Sequence, residues 1–168
     1  DRLRSRGLGD VYKRQAYKCM LISTDYALSP VHVMGYSKRL AEIYMQGLSQ
    51  RIRRKKLPAK LCIVRFADVY PEAPRSLMTL SEACMLILEV GNLGENGGIY
   101  VFEKESACET EATCYERVRK SKEDIVGADM ACKQINSLVE KCESYEPLTI
   151  INEMKKIISC IVEHSVDA

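Results

Sequence analysis

Three polar residues in a row, Ser23-Thr24-Asp25, end a short apolar run, Cys19-Met20-Leu21-Ile22. Met34 and Lys38 follow, four residues apart, at the start of a helical stretch. A hydroxyl, a carboxyl and an ammonium held together can orient a polar ligand and pass protons to and from it. The thioether of Met34 cannot, because it carries no exchangeable proton. In open α/β sheets ligands bind beyond the carboxyl ends of the strands. Ser23-Thr24-Asp25 stands at one such end, and Phe66-Ala67-Asp68 follows a second apolar run. If the helix begins early, positions 34 and 38 lie one turn apart and face one site.

The elements that would hold these residues are legible as an alternation. Residues 19–22 form a short apolar run that stops at polar residues, as a buried parallel strand does. A helix is expected over Ser37–Ile52, with Leu40, Ile43, Tyr44, Gly47 and Leu48 on one face. Lys60–Val69 is expected to be a second buried strand, and Ser76–Val90 a helix with Leu80, Ala83, Cys84, Leu86 and Ile87 inward. Gly97-Gly98 turns the chain into a third strand, Ile99–Phe102. Strand, helix, strand, helix, strand implies an α/β fold with a mostly parallel sheet. Beyond it, Glu105–Glu123 is polar with weak periodicity and is expected to be loop or frayed helix. Ala128–Cys142 and Leu148–His164 read as two amphipathic helices, with Pro147 suited to a helix start.

Composition narrows the function classes. With 168 residues, 46% hydrophobic and 29% charged, the chain suits one globular core. A net charge of +2 is too small to imply a nucleic-acid partner. The cations Arg51, Arg53, Arg54, Lys55 and Lys56 read as a solvated helix end that suits the helix dipole. Cysteines 19, 62, 84, 108, 114, 132, 142 and 160 form no C-x-x-C pair, and His32 and His164 are the only histidines, so free thiols and no metal site are expected. Cys19 and Cys62, inside apolar runs, are expected to be buried.

The run Leu21 to Glu42, through Ser23-Thr24-Asp25-Tyr26, Pro30, Met34-Gly35-Tyr36-Ser37-Lys38-Arg39-Leu40-Ala41, resembles the signature of the polysaccharide-biosynthesis nucleotide-sugar 4,6-dehydratases and epimerases. Val64-Arg65-Phe66-Ala67-Asp68-Val69, Arg75 with Met78-Thr79-Leu80-Ser81-Glu82-Ala83, and Gly97-Gly98-Ile99-Tyr100-Val101-Phe102 are similar to three further blocks of that family, in the same order. The likeness covers most of residues 17–102 and the tail more loosely. It implies the carboxy-terminal part of a Rossmann-like domain of the extended short-chain-dehydrogenase type, membrane-associated branch, with an NAD(P) cofactor and a UDP-linked N-acetylated hexose as substrate. The family's chemistry removes a hydride from carbon 4, eliminates water across carbons 5 and 6, and returns the hydride to carbon 6. Carried over, Thr24 holds the sugar's 4-hydroxyl and Asp25 is the acid for the departing hydroxyl. Lys38 binds the cofactor ribose, and Arg65, Asp68 and Arg75 join Thr24 in contacting substrate.

Several departures weigh against full activity. Tyr26 stands where the family carries a lysine base, and a phenol with a pKa of about 10 is a poor base at neutral pH. Met34 replaces the usual tyrosine, a trait of the membrane-associated branch. The segment Tyr70–Pro74 is much shorter than its family counterpart, and no glycine-rich fingerprint cradles a pyrophosphate. Residues 1–15 resemble a translated sequencing-adapter tail. The expected division is therefore 1–15 non-native, 16–104 a partial Rossmann-like domain and 105–168 a helical region. The chain is expected to be a cytoplasmic fragment, inactive alone, that binds NAD(P) poorly and has no nucleic-acid partner. Homo-oligomerisation is compatible with it, and membrane attachment would come only through a missing upstream region. The alternatives are a decayed relative acting as an interaction protein, and an epimerase.

Overall fold

The computed structural model describes residues 17–66, 69–70, 78–103, 117–121 and 128–166. The expectation for residues 1–15 falls outside them. Strands β1 (Lys18–Thr24), β2 (Lys60–Phe66) and β5 (Ile99–Glu103) run parallel, and β6 (Arg117–Ser121) adds an antiparallel edge, in the order β1-β2-β5-β6. β3 (Val69–Tyr70) and β4 (Met78–Thr79) form a separate parallel pair. The helices are α1 (Val33–Arg54), α2 (Leu80–Leu93), α3 (Ala128–Lys141) and α4 (Pro147–Val166). The α/β, Rossmann-like class read from the sequence is the one observed.

Side-chain alternation along β2 divides the packing between two faces. Cys62, Val64 and Phe66 meet Ala83, Leu86 and Val90 of α2, with Tyr100 from β5. Arg65 turns to the opposite face, toward Glu42 of α1. Farther out on α1, Leu40 and Ile43 pack with Ala131, Ile135 and Leu138 of α3 and with Ile157, Ile158 and Ile161 of α4. Burying each such aliphatic side chain contributes about 1.5–3 kcal/mol. α2 starts with a capping box: Thr79 Oγ1 accepts from the Glu82 backbone N–H, and the Glu82 carboxylate accepts from the Thr79 N–H.

Several sequence expectations change. α2 spans Leu80–Leu93 rather than Ser76–Val90, and Leu80 and Cys84, expected to face inward, are exposed, while Ala83, Leu86 and Val90 form its buried stripe. α1 begins at Val33, ahead of Ser37, because His32 caps it. β2 ends at Phe66 rather than Val69, and Val69 belongs to β3. Part of the stretch expected to be loop or frayed helix is β6, which pairs with β5 and so extends the sheet into the region read as helical. Its sequence, Arg117-Val118-Arg119-Lys120-Ser121, shows an apolar residue only once, which hid it from a periodicity test. Cys19 is exposed rather than buried, and Ile22 is 48% exposed, because among the described residues β1 has a neighbour on one side only. Cys62 is buried as expected, and burial pushes its thiol pKa up. All six described cysteines are free thiols.

Two ionic contacts tie α1 to its neighbours. In the interior, Arg65 Nε and Nη2 donate to Glu42 Oε1 and Oε2 at 2.8 and 2.7 Å, and Arg39 adds a bond to Oε2 at 3.1 Å. At the surface, Arg51 donates to Asp129 of α3 at 3.1 Å, with Arg54 on the other oxygen. Removing one member of a buried pair strands its partner's charge, so Glu42→Gln should cost about 3–5 kcal/mol in urea unfolding. The double change Glu42→Leu with Arg65→Met should cost less than either single change, because no charge is left behind.

Hydrogen bonds from Arg51 and Arg54 hold the Asp129 pKa below its ordinary 3.8. A carboxylate with a depressed folded-state pKa adds stability that is complete above its unfolded pKa and is lost as pH falls through its folded pKa. The stability gap between the natural chain and Asp129→Asn should therefore be constant near neutrality. It should shrink only as pH drops below about 3.8, as followed by thermal melts across an acid series.

Candidate functional site

β1 stops because Thr24, in an extended conformation, caps a single 3-10 turn, Asp25–Ala27. Thr24 Oγ1 accepts from Tyr26 N at 3.5 Å, and Leu28 N–H closes the turn on Asp25 O at 3.0 Å. Ala27 is fully buried beneath the turn, while Asp25 and Tyr26 stay exposed above it. The chain then folds back onto the first turn of α1 at Gly35. A Cβ there would lie 2.9 Å from Tyr26 O and 3.1 Å from Pro30 Cβ, so this close approach requires glycine.

His32 sets where α1 begins. Its Nδ1 accepts from Gly35 N–H at 3.1 Å, satisfying one of the helix's otherwise unpaired donors. The imidazole also packs against the Tyr26 ring, with centroids 5.2 Å apart and a 60° tilt. With the helix started at Val33, Met34 and Lys38 fall one turn apart, as the spacing requires. Met34 is 51% exposed.

Lys38 reaches back to the strand: its Nζ donates to Ile22 O at 3.0 Å. Tyr17 O accepts from Lys60 of β2, and alternation along β1 then turns the Ile22 carbonyl to the strand's other edge. The ammonium therefore sits at the edge of β1 away from β2, two residues before Thr24. Thr24, Asp25, Tyr26, Met34 and Lys38 are thus drawn together by one strand end, one turn and one helix start.

Arg65 does not join them. It was expected to contact substrate, but it is 1% exposed and its guanidinium is engaged by Glu42, itself 0% exposed. The physical reason is that a cation inside an apolar strand must be paired where it is buried. Asp68 and Arg75 lie outside the described residues. Glu42 and His32 were not singled out from the sequence. The signal for Glu42 was the charge of Arg65 between the apolar run Leu61-Cys62-Ile63-Val64 and Phe66, and the signal for His32 was its place just before a helix start.

Among the described residues no group of three or more histidines, cysteines or acids could hold a metal ion. No helix among them is long and apolar enough to cross a membrane. The open cleft between α3 and α4, lined by Lys141, Tyr145, Lys156 and Cys160, shares no residue with the site.

Replacing the cap should loosen the helix start that carries Met34 and Lys38. His32→Ala is expected to cost about 1 kcal/mol, a melting shift of about 2–4 °C, while His32→Asn, which keeps an acceptor, should melt within about a degree of the natural chain.

The same stretch has counterparts among known proteins. Residues 10–71 match the family model described as polysaccharide biosynthesis protein. The chain is 31% identical over 110 residues to the capsular polysaccharide biosynthesis protein CapD of Staphylococcus aureus, and 30% identical over 108 residues to the probable polysaccharide biosynthesis protein EpsC of Bacillus subtilis. It is 28% identical over 113 residues to the uncharacterized membrane protein MJ1061 of Methanocaldococcus jannaschii. These matches take in 51%, 50% and 53% of this chain but only 18%, 17% and 33% of the respective relatives, so the chain spans a third of their length or less. The strand, turn and helix that gather Thr24, Asp25 and Lys38 lie within the segment that matches the polysaccharide biosynthesis protein family model, and through this segment the chain is similar to members of that family.

Proposed function

We propose that this edge of the sheet is part of the sugar pocket of a nucleotide-sugar 4,6-dehydratase of polysaccharide biosynthesis, acting on a UDP-linked N-acetylated hexose. The observation that carries the reading is the Lys38 ammonium drawn to the carboxyl end of β1, near half-buried Thr24 and the exposed Asp25 of the turn that follows. A bound nicotinamide would supply hydride removal and return. Among the described residues Lys38 fits its ribose, since an ammonium can donate to adjacent hydroxyls. None of them fits its pyrophosphate. Gly97 and Gly98 precede β5 at the amino end of the sheet, Gly94 follows α2, and the other described glycines lie within helices. The proposal therefore gives the described residues substrate-side roles, apart from Lys38, which would also reach the cofactor's ribose.

Thr24 Oγ1 accepts a bond from the Tyr26 backbone, which leaves its hydroxyl proton free to donate to the sugar's 4-hydroxyl. Asp25 is exposed, so a sugar lying over the turn would itself cover the carboxyl. Burial raises the affinity of a carboxylate for a proton, which an acid for the departing hydroxyl needs. Lys38 places positive charge where the developing alkoxide forms. Asp68 and Arg75 remain proposed substrate contacts. A UDP-sugar substrate and free thiols fit a cytoplasmic setting.

Tyr26 favours a second reading, a relative that keeps the fold and has lost the proton step at carbon 5. A phenol is a poor base near neutral pH, and this one is packed on the capping imidazole. The two readings separate in the complete reading frame, assayed for the 4-keto product from UDP-N-acetylglucosamine. A working dehydratase should lose about 10²–10⁴-fold in kcat with Asp25→Asn. Turnover that appears only with Tyr26→Lys would establish the non-catalytic reading.

A further inference from the structure

The amino ends of the strands form a surface opposite the site, and its chemistry is different. Lys60 N–H donates to Tyr17 O at 2.7 Å, which joins the starts of β1 and β2. Lys18 Nζ donates to Gly91 O at 2.6 Å and to Asn92 O at 3.2 Å, which brings the last turn of α2 to the same place. The end of α1 closes beside them through Lys56 N–H to Arg53 O and Leu57 N–H to Ile52 O, with Lys56 in a left-handed conformation at φ 51°. Tyr17, Leu57 and Leu93 project here at 73%, 52% and 68% exposure. Arg53, Lys55, Lys56 and Lys60 are exposed around them. Among the described residues, the acids near this end include Glu89 and Glu95, in and just after the last turns of α2, and Asp129, which is paired with Arg51 and Arg54.

We propose that this end docks on the anionic headgroups of a lipid bilayer. Cations alone would suit any polyanion, but the arrangement interleaves them with two leucines and a tyrosine that point outward. A nucleic-acid backbone offers nothing to Leu57 or Leu93. A bilayer takes both kinds of group: lysine and arginine lie against charged headgroups, leucine enters the acyl boundary, and tyrosine sits at the interface. The 22 residues of α1 separate the two ends by about 33 Å. Docked in this way, the Thr24-Asp25 turn faces away from the membrane. The docking needs no dehydratase chemistry, so its failure would leave the proposed function standing.

The test is sedimentation of the full chain with vesicles of phosphatidylcholine, with and without about one third phosphatidylserine, at low and high salt. The expected result is binding to the anionic vesicles only, weakened as salt rises. The triple change Arg53→Glu, Lys55→Glu, Lys56→Glu should weaken it at least about a hundredfold, from roughly fivefold per cation. Leu57→Asp should weaken it as well, and unchanged circular dichroism would show that both variants fold. Three results would each overturn the proposal: no binding to anionic vesicles, binding indifferent to the charge reversals, or tighter binding to single-stranded RNA than to vesicles with no effect of Leu57→Asp.

Discussion

The buried pair between Glu42 and Arg65 is the contact on which the geometry of the site depends. Two ions removed from water attract strongly but lose their hydration, so such a pair is tolerable only when nearly every lone pair is bonded. Here both Glu42 oxygens accept from Arg65, and Arg39 adds a third donor. The penalty for any other arrangement is what makes the contact specific: sliding α1 by a turn along the sheet would strand both charges. Glu42 is one turn beyond Lys38, and Arg65 is the registered neighbour of Ser23. Pinning one pair therefore fixes the other, and Lys38 meets the end of β1.

Seen from this pin, α1 acts as a beam with two chemically distinct ends. Its amino end is capped by an imidazole and overlaid by the Tyr26 turn, and it gathers groups that can handle protons. Its carboxyl end carries cations, which suits the negative end of the helix dipole. Asp129 engages Arg51 and Arg54, tying that end to α3 while Arg53, Lys55 and Lys56 stay exposed. The same dipole argument that explains why basic residues collect there does not require them to be accompanied by exposed leucines.

The order of strands and helices was legible because each buried element repeats apolar residues at its own period, as Leu40 and Ile43 do in α1 and Cys62 to Phe66 do in β2. What escaped had physical reasons. β6 has almost no apolar pattern, and its place comes from backbone pairing with β5, which side chains do not advertise. The exposure of Cys19 and Ile22 follows from sheet order, which depends on contacts distant in sequence. Arg65 looked like a ligand contact because motif position says nothing about which face of a strand a side chain takes. Its partner, Glu42, had the appearance of an ordinary helix-surface acid. The placement of Lys38 was legible for the opposite reason: its turn-spacing from Met34 follows from helix phase, and with the start at Val33 its ammonium reaches Ile22 O.

The turn after β1 separates the residues that shape it from those it displays. The backbone work of that turn is done by Thr24 as cap, Ala27 as buried base and Gly35 as the point of close approach. None of these depends on the side chain at position 26. The aromatic ring at 26 makes contact with His32, which also starts the helix, so it is held by packing. Stability and proton transfer thus place separate demands on neighbouring residues. A strand, turn and helix of this kind can keep its shape under the first demand even where the second has been relaxed.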